Sequence, residues 1–364
     1  MSAGPIMIMA GGTGGHVFPG LAVAAELKAR QRDVVWLGTQ RGIEARVVPP
    51  EGIEIEWITI AGVRGRGLAA HVTAPFRIGA AVVQALAALR RRRPAAVLGM
   101  GGFVAAPGGI AAWLTRRPLI IHEQNSVAGS TNRWLAPLAR KIFASFPDTF
   151  PQWAREEVVG NPVRRSMAVP ADEPRERLAA RRDARRRLFV IGGSQGARIL
   201  NRTLPRALAE LPPERRPEVW HQAGRLEADA TREGYAAAGV EARVDAFVDD
   251  VAAAFRWADL VVARAGASTL AELAAVGVGA ILVPLRSAID DHQTMNARHH
   301  TAGGAGLAIA EGDLTPAALA QAISGCLFDH ARLIAMAEAA RRQARFDAAE
   351  RIARACLELA EARA

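Results

Sequence analysis

The sequence predicts an α/β protein made of two doubly wound domains. Short apolar runs alternate with helical stretches along the chain, which is typical of parallel strands joined by crossover helices. The chain has 364 residues, enough for two domains that each bury a core. The segments 6–16 and 188–198 share the pattern strand, glycine loop, helix, which favours a weak internal duplication.

The strand candidates form two series. In the first half they are Ile6–Ala10, Val34–Leu37, Ile53–Ile58, Ala96–Gly99, Leu119–His122 and Ile142–Ser145, and in the second half Leu188–Ile191, Glu218–His221, Arg243–Ala246, Leu260–Ala263, Ala280–Val283 and Leu307–Ile309. We predict an N-terminal domain over residues 1–162 and a C-terminal domain over 163–345. A last helix within 346–364 has no strand to return to, and we expect it to pack back on the N-terminal domain.

Composition excludes several classes of protein. The net charge is +10, but aromatic residues make up only 5%, and the arginine clusters at 90–93 and 181–187 contain none, which disfavours a nucleic-acid-binding protein. Cys326 and Cys356 lie outside any CxxC pair, so neither a disulfide framework nor a zinc knuckle is predicted and a reducing compartment fits. The sequence shows no signal-peptide pattern and no apolar run long enough to span a bilayer.

Two glycine loops give the first indication of a ligand site. The first contains Gly11, Gly12, Thr13, Gly14 and Gly15 followed by His16, and the second contains Gly192, Gly193, Ser194, Gln195 and Gly196. Glycines after a strand allow a sharp turn, and the helix N-terminus that follows offers N–H groups to an anion. Tight packing of strand against helix is the alternative. Neither loop fits G-x-G-x-x-G with an acidic residue further on, which disfavours a nicotinamide enzyme.

Five further motifs follow in order along the chain. They are GMGGFVAAPGG (99–109), HEQNSVAGSTNRWL (122–135), GNPVR (160–164), RAGASTLAE (264–272) and DHQTMNA (291–297). With the glycine loops they resemble the undecaprenyl-diphospho-muramoylpentapeptide β-N-acetylglucosaminyltransferase family over nearly the whole chain. Phe103 stands where the family usually has Tyr, and Ala128 where it usually has Pro.

The resemblance implies a glycosyltransferase B fold, with two Rossmann-like domains facing across a cleft. It implies UDP-N-acetylglucosamine as the donor, held by the C-terminal domain, and the lipid-linked acceptor lipid I, held by the N-terminal one. The transfer to the muramoyl 4-hydroxyl inverts the sugar and yields lipid II for peptidoglycan synthesis. Neither a metal nor another cofactor is implied, and the chain has no DxD motif.

The resemblance and the residue chemistry together predict the donor site. Its residues are Thr13, Gly14, Gly15, Asn125, Arg164, Ser194, Phe247, Val248, Ala267, Ser268, Thr269, Leu270, Glu272 and Gln293. Small side chains before Glu272 let a diphosphate sit on a helix N-terminus, and Glu272 can accept from ribose hydroxyls. A fixed Arg164 would clamp the diphosphate as the leaving group gains charge. An N-cap role for Ser268 and a core role for Phe247 are the alternatives.

An inverting transfer needs a base near the acceptor hydroxyl. His16 stands at a helix N-terminus, which disfavours the imidazolium and leaves the ring able to accept a proton. Glu123 follows a predicted strand and would also lie at its carboxyl end. We predict His16 as the catalytic base and Glu123 as the second candidate; a structural or acceptor-binding histidine is the alternative for His16.

One segment suits contact with a membrane. Val72–Leu89 is apolar almost all round and is followed by Arg90–Arg93, and Trp113 with Arg116–Arg117 repeats the pairing. Such a helix fits an anionic membrane surface, with a buried core helix as the alternative. We therefore expect a peripheral protein on the cytoplasmic face of the plasma (inner) membrane, with other cell-wall synthesis or division proteins as candidate partners. A UDP-sugar 2-epimerase or another UDP-sugar transferase is the second functional hypothesis.

Overall fold

The computed structural model describes residues 4–60, 68–193, 196–286 and 291–362, and their side chains except those of 68–75. The chain divides into two compact units. Unit 1 comprises Met1–Arg164 and Arg345–Ala364, and unit 2 comprises Arg165–Ala344. Each unit has a parallel sheet covered by helices, which confirms the predicted α/β, doubly wound fold class.

Unit 1 is built on a seven-stranded sheet. Its strands are β1 (Ile6–Met9), β2 (Val34–Gly38), β3 (Glu54–Trp57), β4 (Ala96–Gly99), β5 (Leu119–Glu123), β6 (Lys141–Ala144) and β7 (Glu157–Val158), in the spatial order β3-β2-β1-β4-β5-β6-β7. Its first helices are α1 (Gly14–Ala29), α2 (Glu44–Val47), α3 (Leu68–Arg92), α4 (Ala105–Leu114) and α5 (Ser130–Leu135). All six predicted strands of this half are confirmed, and β7 is an addition.

Strand β1 explains why the sheet forms. Ile6 and Ile8 face the core shared with α1, whereas Met7 and Met9 face the core shared with α3, α4 and α5. All four side chains are fully buried. A strand covered on both faces needs a continuous apolar run, as the sequence 6–10 provides.

Unit 2 repeats this plan with six strands. They are β8 (Arg187–Ile191), β9 (Glu218–Gln222), β10 (Arg243–Asp245), β11 (Leu260–Ala263), β12 (Gly279–Leu282) and β13 (Gly306–Ala308), in the order β10-β9-β8-β11-β12-β13. The helices are α6 (Glu173–Ala180), α7 (Arg198–Ala209), α8 (Ala228–Ala237), α9 (Val251–Trp257), α10 (Ala267–Val276), α11 (His292–Ala302), α12 (Pro316–Leu327) and α13 (His330–Gln343). Leu188 and Val190 face the core with α7 and α12, and Phe189 packs edge-on against Phe255 of α9.

The last helix, α14 (Ala348–Glu361), belongs to unit 1, where it packs against α1. Cys356 on its inner face is fully buried, and burial raises the pKa of that thiol to about 12. Arg351 reaches Glu157 of β7 at 2.5 Å. Along the chain, the boundaries between the two units fall at residues 164–165 and 344–345. The first lies two residues after the predicted boundary at 162. The second lies one residue before the predicted end of the C-terminal domain at 345.

The strand orders define one switch point in each unit. In unit 1 the chain leaves β1 for β2 and β3 on one side and returns to β4 on the other, so the switch point lies between β1 and β4. In unit 2 it lies between β8 and β11. Ligands of doubly wound proteins bind outside the carboxyl ends of the strands at such points. The motifs 11–16 and 99–109 follow β1 and β4, and RAGASTLAE follows β11.

Within the described residues, no helix combines the length and the apolar character that crossing a membrane requires.

Candidate active site

The first glycine loop is held open by a buried carboxylate. Gly12 has φ +94°, and a Cβ there would lie 2.7 Å from the ring of Phe103. Its N–H donates to Oε2 of Glu44 at 3.0 Å, while the N–H and hydroxyl of Thr39 donate to Oε1 at 2.9 and 2.8 Å. Glu44 is fully buried and ties the loop to the end of β2. Sequence reasoning missed it, because a single Glu at the start of a four-residue helix carries no pattern.

Helix α1 starts directly behind this loop. Thr13 is the N-cap residue, with an extended backbone and no side-chain cap hydrogen bond, and it is exposed. Gly14 and Gly15 form the first helical positions and are half-buried. Their backbone N–H groups point along the positive end of the helix dipole, where an anion is favoured. The structure thus places these three predicted residues at one anion-favouring helix end.

His16 lies between the loops that follow β1 and β4. Its ring is half-buried and packs on the backbone of two glycines with positive φ: a Cβ on Gly101 would come within 3.0 Å of Nδ1, and one on Gly102 within 3.4 Å of Cδ2. Its Nδ1 lies 3.1 Å from Oε1 of Gln124. The switch point of unit 1 therefore carries a titratable ring held at one nitrogen.

Glu123 has a different environment. It is 2% exposed, and Oε1 accepts from the N–H and Nδ2 of Asn125 at 3.0 and 3.1 Å. Its Oε2 accepts from the N–H of Gly129 at 3.1 Å and from Nδ2 of Asn132 at 2.9 Å. A carboxylate has about four lone-pair positions, and all four are engaged. The geometry favours Glu123 as a brace for the 123–132 turn, and His16 over Glu123 as the base.

Arg164 is the last residue of unit 1. Its guanidinium carbon lies 5.2 Å from the ring centroid of Phe18, in the second turn of α1. A cation over an aromatic face is attracted to it, which restrains the long side chain. Arg164 is therefore held beside the helix that the first glycine loop introduces.

The second glycine loop is shaped by close backbone contacts. A Cβ on Gly196, which has φ +75°, would lie 2.1 Å from the carbonyl oxygen of Ala223. Gly193 also has a positive φ, +83°, but a Cβ there would meet nothing within 4 Å. Asn201 of α7 donates to the same Ala223 carbonyl at 2.9 Å, so helix, loop and β9 are joined. The predicted donor residue Ser194 lies outside the described residues.

The loop after β11 forms the other side of this switch point. Gly266 is the N-cap of α10, and Ala267 begins the helix. Ser268, Thr269 and Glu272 are half-buried on its first turns, and Leu270 is buried in the core. Small residues thus surround the helix N-terminus, and Gly266, Ser268 and Thr269 keep part of their surface exposed, whereas Leu270 is buried.

Two contacts fix the surroundings of that turn. Asn296 of α11 donates to the carbonyl of Ala265 at 3.2 Å, and Arg264 forms an ion pair with Glu311 at 2.7 Å. Gln293, also on α11, accepts from the N–H of Leu285 at 3.0 Å. Gln293 thus holds the chain after β12 as well as lying near the strand ends.

The remaining predicted donor residues follow β10. Phe247 is 41% exposed, whereas Val248 is buried. The exposed ring disfavours the core alternative for Phe247. Among the described residues, no three His, Cys, Asp or Glu side chains cluster as metal ligands would.

These features define a class of protein: a doubly wound α/β chain with two switch points, one carrying a half-buried histidine ring and the other a glycine loop and the N-terminus of a helix. Models of the glycosyltransferase family 28 N-terminal and C-terminal domains match residues 6–144 and 187–352. The chain belongs to glycosyltransferase family 28.

The relatives are similar along their whole length. The UDP-N-acetylglucosamine--N-acetylmuramyl-(pentapeptide) pyrophosphoryl-undecaprenol N-acetylglucosamine transferase of Nitrosococcus oceani is 55% identical over 98% of both chains. The crystal structure of Acinetobacter baumannii MurG matches with a TM-score of 0.79 and 36% identity over 98% of this chain and 99% of that one. Anabaena HepE in complex with UDP shares the fold alone, at 17% identity, a TM-score of 0.61, and coverage of 97% of this chain and 100% of that one. The resemblance predicted from the motifs is confirmed.

Proposed function

We propose that this chain transfers N-acetylglucosamine from UDP-N-acetylglucosamine to the muramoyl 4-hydroxyl of lipid I, with inversion, and so forms lipid II. Its full-length similarity to transferases named for this donor and acceptor supports the substrate pair. The observation that carries the chemistry is the His16 ring, held at Nδ1 beside a glycine loop at the switch point of unit 1.

Unit 1 supplies the proton acceptor. The acceptor O–H bond breaks as its proton passes to Nε2 of His16, and the oxygen bonds to the anomeric carbon of the donor sugar. The bond from that carbon to the diphosphate oxygen breaks, and its electron pair leaves with UDP. General-base catalysis of this kind is worth about 10²- to 10⁴-fold in rate.

Unit 2 holds the donor. The N-terminus of α10, lined by Ala267, Ser268 and Thr269, would receive the diphosphate, and Glu272 one turn further would accept from the ribose hydroxyls. Phe247 and Val248 would cover the uracil, and Gln293 would contact the sugar hydroxyls. Arg164 would neutralise charge on the leaving diphosphate, since a guanidinium forks onto phosphate oxygens.

We further propose that unit 1 contacts an anionic membrane from the cytoplasmic side. Helices α3, α4 and α5 pack on one face of the sheet through a shared core. Their outer surface, which we call the apolar face, carries the exposed side chains Phe76, Val83, Trp113, Leu114 and Trp134. Exposed aromatic and aliphatic groups next to basic residues are typical of interfacial binding.

The arginine cluster at the end of α3 contributes less than its four charges suggest. Arg91 and Arg92 both bond Glu56, and Arg92 also pairs with Glu54 at 2.5 Å. Burial alone would raise the pKa of Glu56, but these two arginines outweigh it and the pKa is lowered. Arg90 and Arg93 are exposed and left for lipid headgroups.

Vesicle sedimentation tests the membrane proposal. We expect binding to vesicles with anionic lipid, weaker binding to neutral ones, and a loss on substituting Trp113→Ser and Phe76→Ser. Leu226→Ser is the matched control, because Leu226 is 96% exposed but lies in unit 2. Equal, weak binding to both vesicle types would contradict the electrostatic part, and an equal loss with Leu226→Ser would contradict the apolar face.

A transfer assay tests the proposed activity. Labelled UDP-N-acetylglucosamine is incubated with the protein, with and without a lipid I analogue. We expect release of UDP and a labelled lipid product only when the analogue is present. Donor turnover that ignores the acceptor would contradict the transferase and favour a UDP-sugar 2-epimerase.

A further inference from the structure

We propose that Gln124 and His122 are positioning residues that fix the tautomer of His16, so that Nδ1 carries the proton and Nε2 is the basic nitrogen. This inference rests on the proposed role of His16 as the base. It follows from a chain of hydrogen bonds that begins at the carbonyl of Gly160. Each hydrogen bond in this chain determines which atom of the next side chain donates and which accepts.

The first link is between Gly160 and His122. Nε2 of His122 lies 2.9 Å from the carbonyl oxygen of Gly160. A carbonyl only accepts, so this nitrogen must carry the hydrogen. His122 is fully buried, and burial lowers its pKa to about 4, so the ring is neutral near pH 7. A neutral imidazole protonated at Nε2 presents a bare lone pair at Nδ1.

Position 160 requires a glycine. It has φ +85°, a conformation that side-chain-bearing residues rarely adopt, and a Cβ there would lie 2.5 Å from the side chain of Arg345. A larger residue would have to shift the backbone that presents the carbonyl to His122.

The second link is Gln124, which is 2% exposed and so shielded from water. Its Nε2 lies 2.8 Å from the carbonyl oxygen of Met100 and 3.2 Å from Nδ1 of His122. Both neighbours are acceptors, so they use both amide hydrogens of the side chain. The flipped amide would set its oxygen against two acceptors, which costs a buried hydrogen bond at each. The neighbours thus determine which way the amide points.

The third link is His16. With the amide so oriented, Oε1 of Gln124 faces Nδ1 of His16 at 3.1 Å. An amide oxygen only accepts, so Nδ1 of His16 must donate, and Nε2 of the neutral ring holds the lone pair. This is the nitrogen that can take the proton of the acceptor hydroxyl. When it does, Nδ1 keeps its hydrogen and its bond to Gln124, so no second proton has to move.

Gly101 and Gly102 support this arrangement from the other side of the ring. A Cβ on Gly101 would lie 3.0 Å from Nδ1, which is closer than side chains normally pack, so this loop lies directly against the ring. Turning the ring over would put Cδ2 in place of Nδ1 beside Gln124 and lose the hydrogen bond to Oε1. Gln124 therefore determines both which ring nitrogen carries the hydrogen and which way the ring faces.

The tautomer can be measured directly on the full-length protein labelled with ¹⁵N-histidine. Long-range ¹H–¹⁵N spectra separate a protonated from a bare ring nitrogen, and the His16 signals are assigned by their loss in His16→Gln. We expect Nδ1 protonated and Nε2 bare in the wild-type protein at neutral pH. The opposite pattern in the wild-type protein overturns the proposal without any variant of the relay.

Variants test the relay itself. In Gln124→Met, which keeps the size of the side chain, we expect Nε2–H of His16 to become populated and kcat to fall by roughly 10- to 10²-fold, with the KM for UDP-N-acetylglucosamine unchanged. A folded Gln124→Met protein with the wild-type tautomer and kcat would overturn the proposal.

His122 offers a conservative pair. The amide oxygen of Asn can stand where Nδ1 of His122 stands, so His122→Asn should retain the His16 tautomer and most of kcat, whereas His122→Leu should lose both. Equal behaviour of the two folded variants would contradict the relay. If His16→Ala instead keeps its kcat while the wild-type tautomer is as expected, the proposed base fails and the relay stands.

Discussion

The two switch points have the same topology but different side chains. In unit 1 these loops are restrained by polar side chains: Gln124 bonds the ring of His16, and Glu44 bonds the backbone of Gly12. In unit 2 the equivalent loops carry Gly193, Gly196 and other residues with small side chains. The same fold can therefore serve two kinds of chemistry: a proton acceptor requires a restrained side chain, whereas a diphosphate requires access to backbone N–H groups and the helix dipole.

The largest expected effect concerns the base in unit 1. His16→Ala should lower kcat by about 10²- to 10⁴-fold, because no base is then left to accept the proton of the acceptor hydroxyl. The melting temperature should remain nearly unchanged. Glu123→Gln should instead lower the melting temperature, since an amide nitrogen cannot accept the hydrogen bonds now made to a carboxylate oxygen. Steady-state kinetics and thermal unfolding of both variants check this, and the reverse pattern would make Glu123 the base.

The second prediction concerns the backbone of unit 2. Gly196→Ala should raise the KM for UDP-N-acetylglucosamine about tenfold or more and destabilise unit 2, because the methyl group meets the Ala223 carbonyl at 2.1 Å and the positive φ adds about 1–2 kcal/mol of strain. Gly193→Ala is the matched control, having the strain without the collision. Donor titrations of the two proteins check it. Equal effects would show that the contact with Ala223 is unimportant.

The third prediction returns to unit 1 and its carboxylate brace. Glu44→Gln should lower the free energy of unfolding by about 1–3 kcal/mol, because a buried amide cannot accept all three hydrogen bonds that the carboxylate now accepts. Glu54→Gln, at an exposed position, is the control. Urea unfolding of the two variants measures the difference. Similar values would remove Glu44 from its bracing role.

The fourth prediction distinguishes the units by pH. Burial lowers the pKa of His122 in unit 1 to about 4, and those of His221 and His300 in unit 2 to about 3 and about 4. As pH falls from about 6.5 to about 5, the unfolded chain binds protons but these buried rings stay neutral, so each ring lowers the free energy of unfolding by up to about 1.4 kcal/mol per pH unit. The free energy of unfolding of unit 2 should therefore decrease with falling pH about twice as steeply as that of unit 1.

One cysteine in each unit allows the pH dependence of the two stabilities to be measured separately. Cys356 in unit 1 and Cys326 in unit 2 are both fully buried, and the chain has no others. A thiol reagent that works at acidic pH reports the unfolding of each unit in urea. The prediction would be contradicted if the free energy of unfolding reported by Cys356 fell more steeply with decreasing pH than the one reported by Cys326.

Much of the fold was predictable because parallel sheets need apolar runs. All twelve predicted strands occur, and the central strands β1, β4, β5, β11 and β12 are fully buried runs covered on both faces. Strand β7 was missed because two residues, Glu157 and Val158, show no period; β6 pairs with it, and Arg351 from the far end of the chain holds Glu157. Contacts across nearly two hundred residues leave no local signal.

The site was predictable only in part. His16 and the glycine loops stand in motifs whose chemistry is local. Glu44 and Gln124 act through partners distant in sequence, 32 and 108 residues away respectively, so their roles appear only once the strands are side by side. A buried glutamine next to a predicted base, in HEQN, is the one hint that the sequence offered.

Donor binding measured apart from catalysis tests the division of labour between the units most directly. Calorimetric titration with UDP-N-acetylglucosamine, without acceptor, is carried out on the wild-type, His16→Ala and Glu272→Ala proteins. We expect an unchanged Kd for His16→Ala and a Kd raised about tenfold for Glu272→Ala, which corresponds to the loss of roughly one hydrogen bond to the ribose. A raised Kd for His16→Ala together with a wild-type Kd for Glu272→Ala would contradict it.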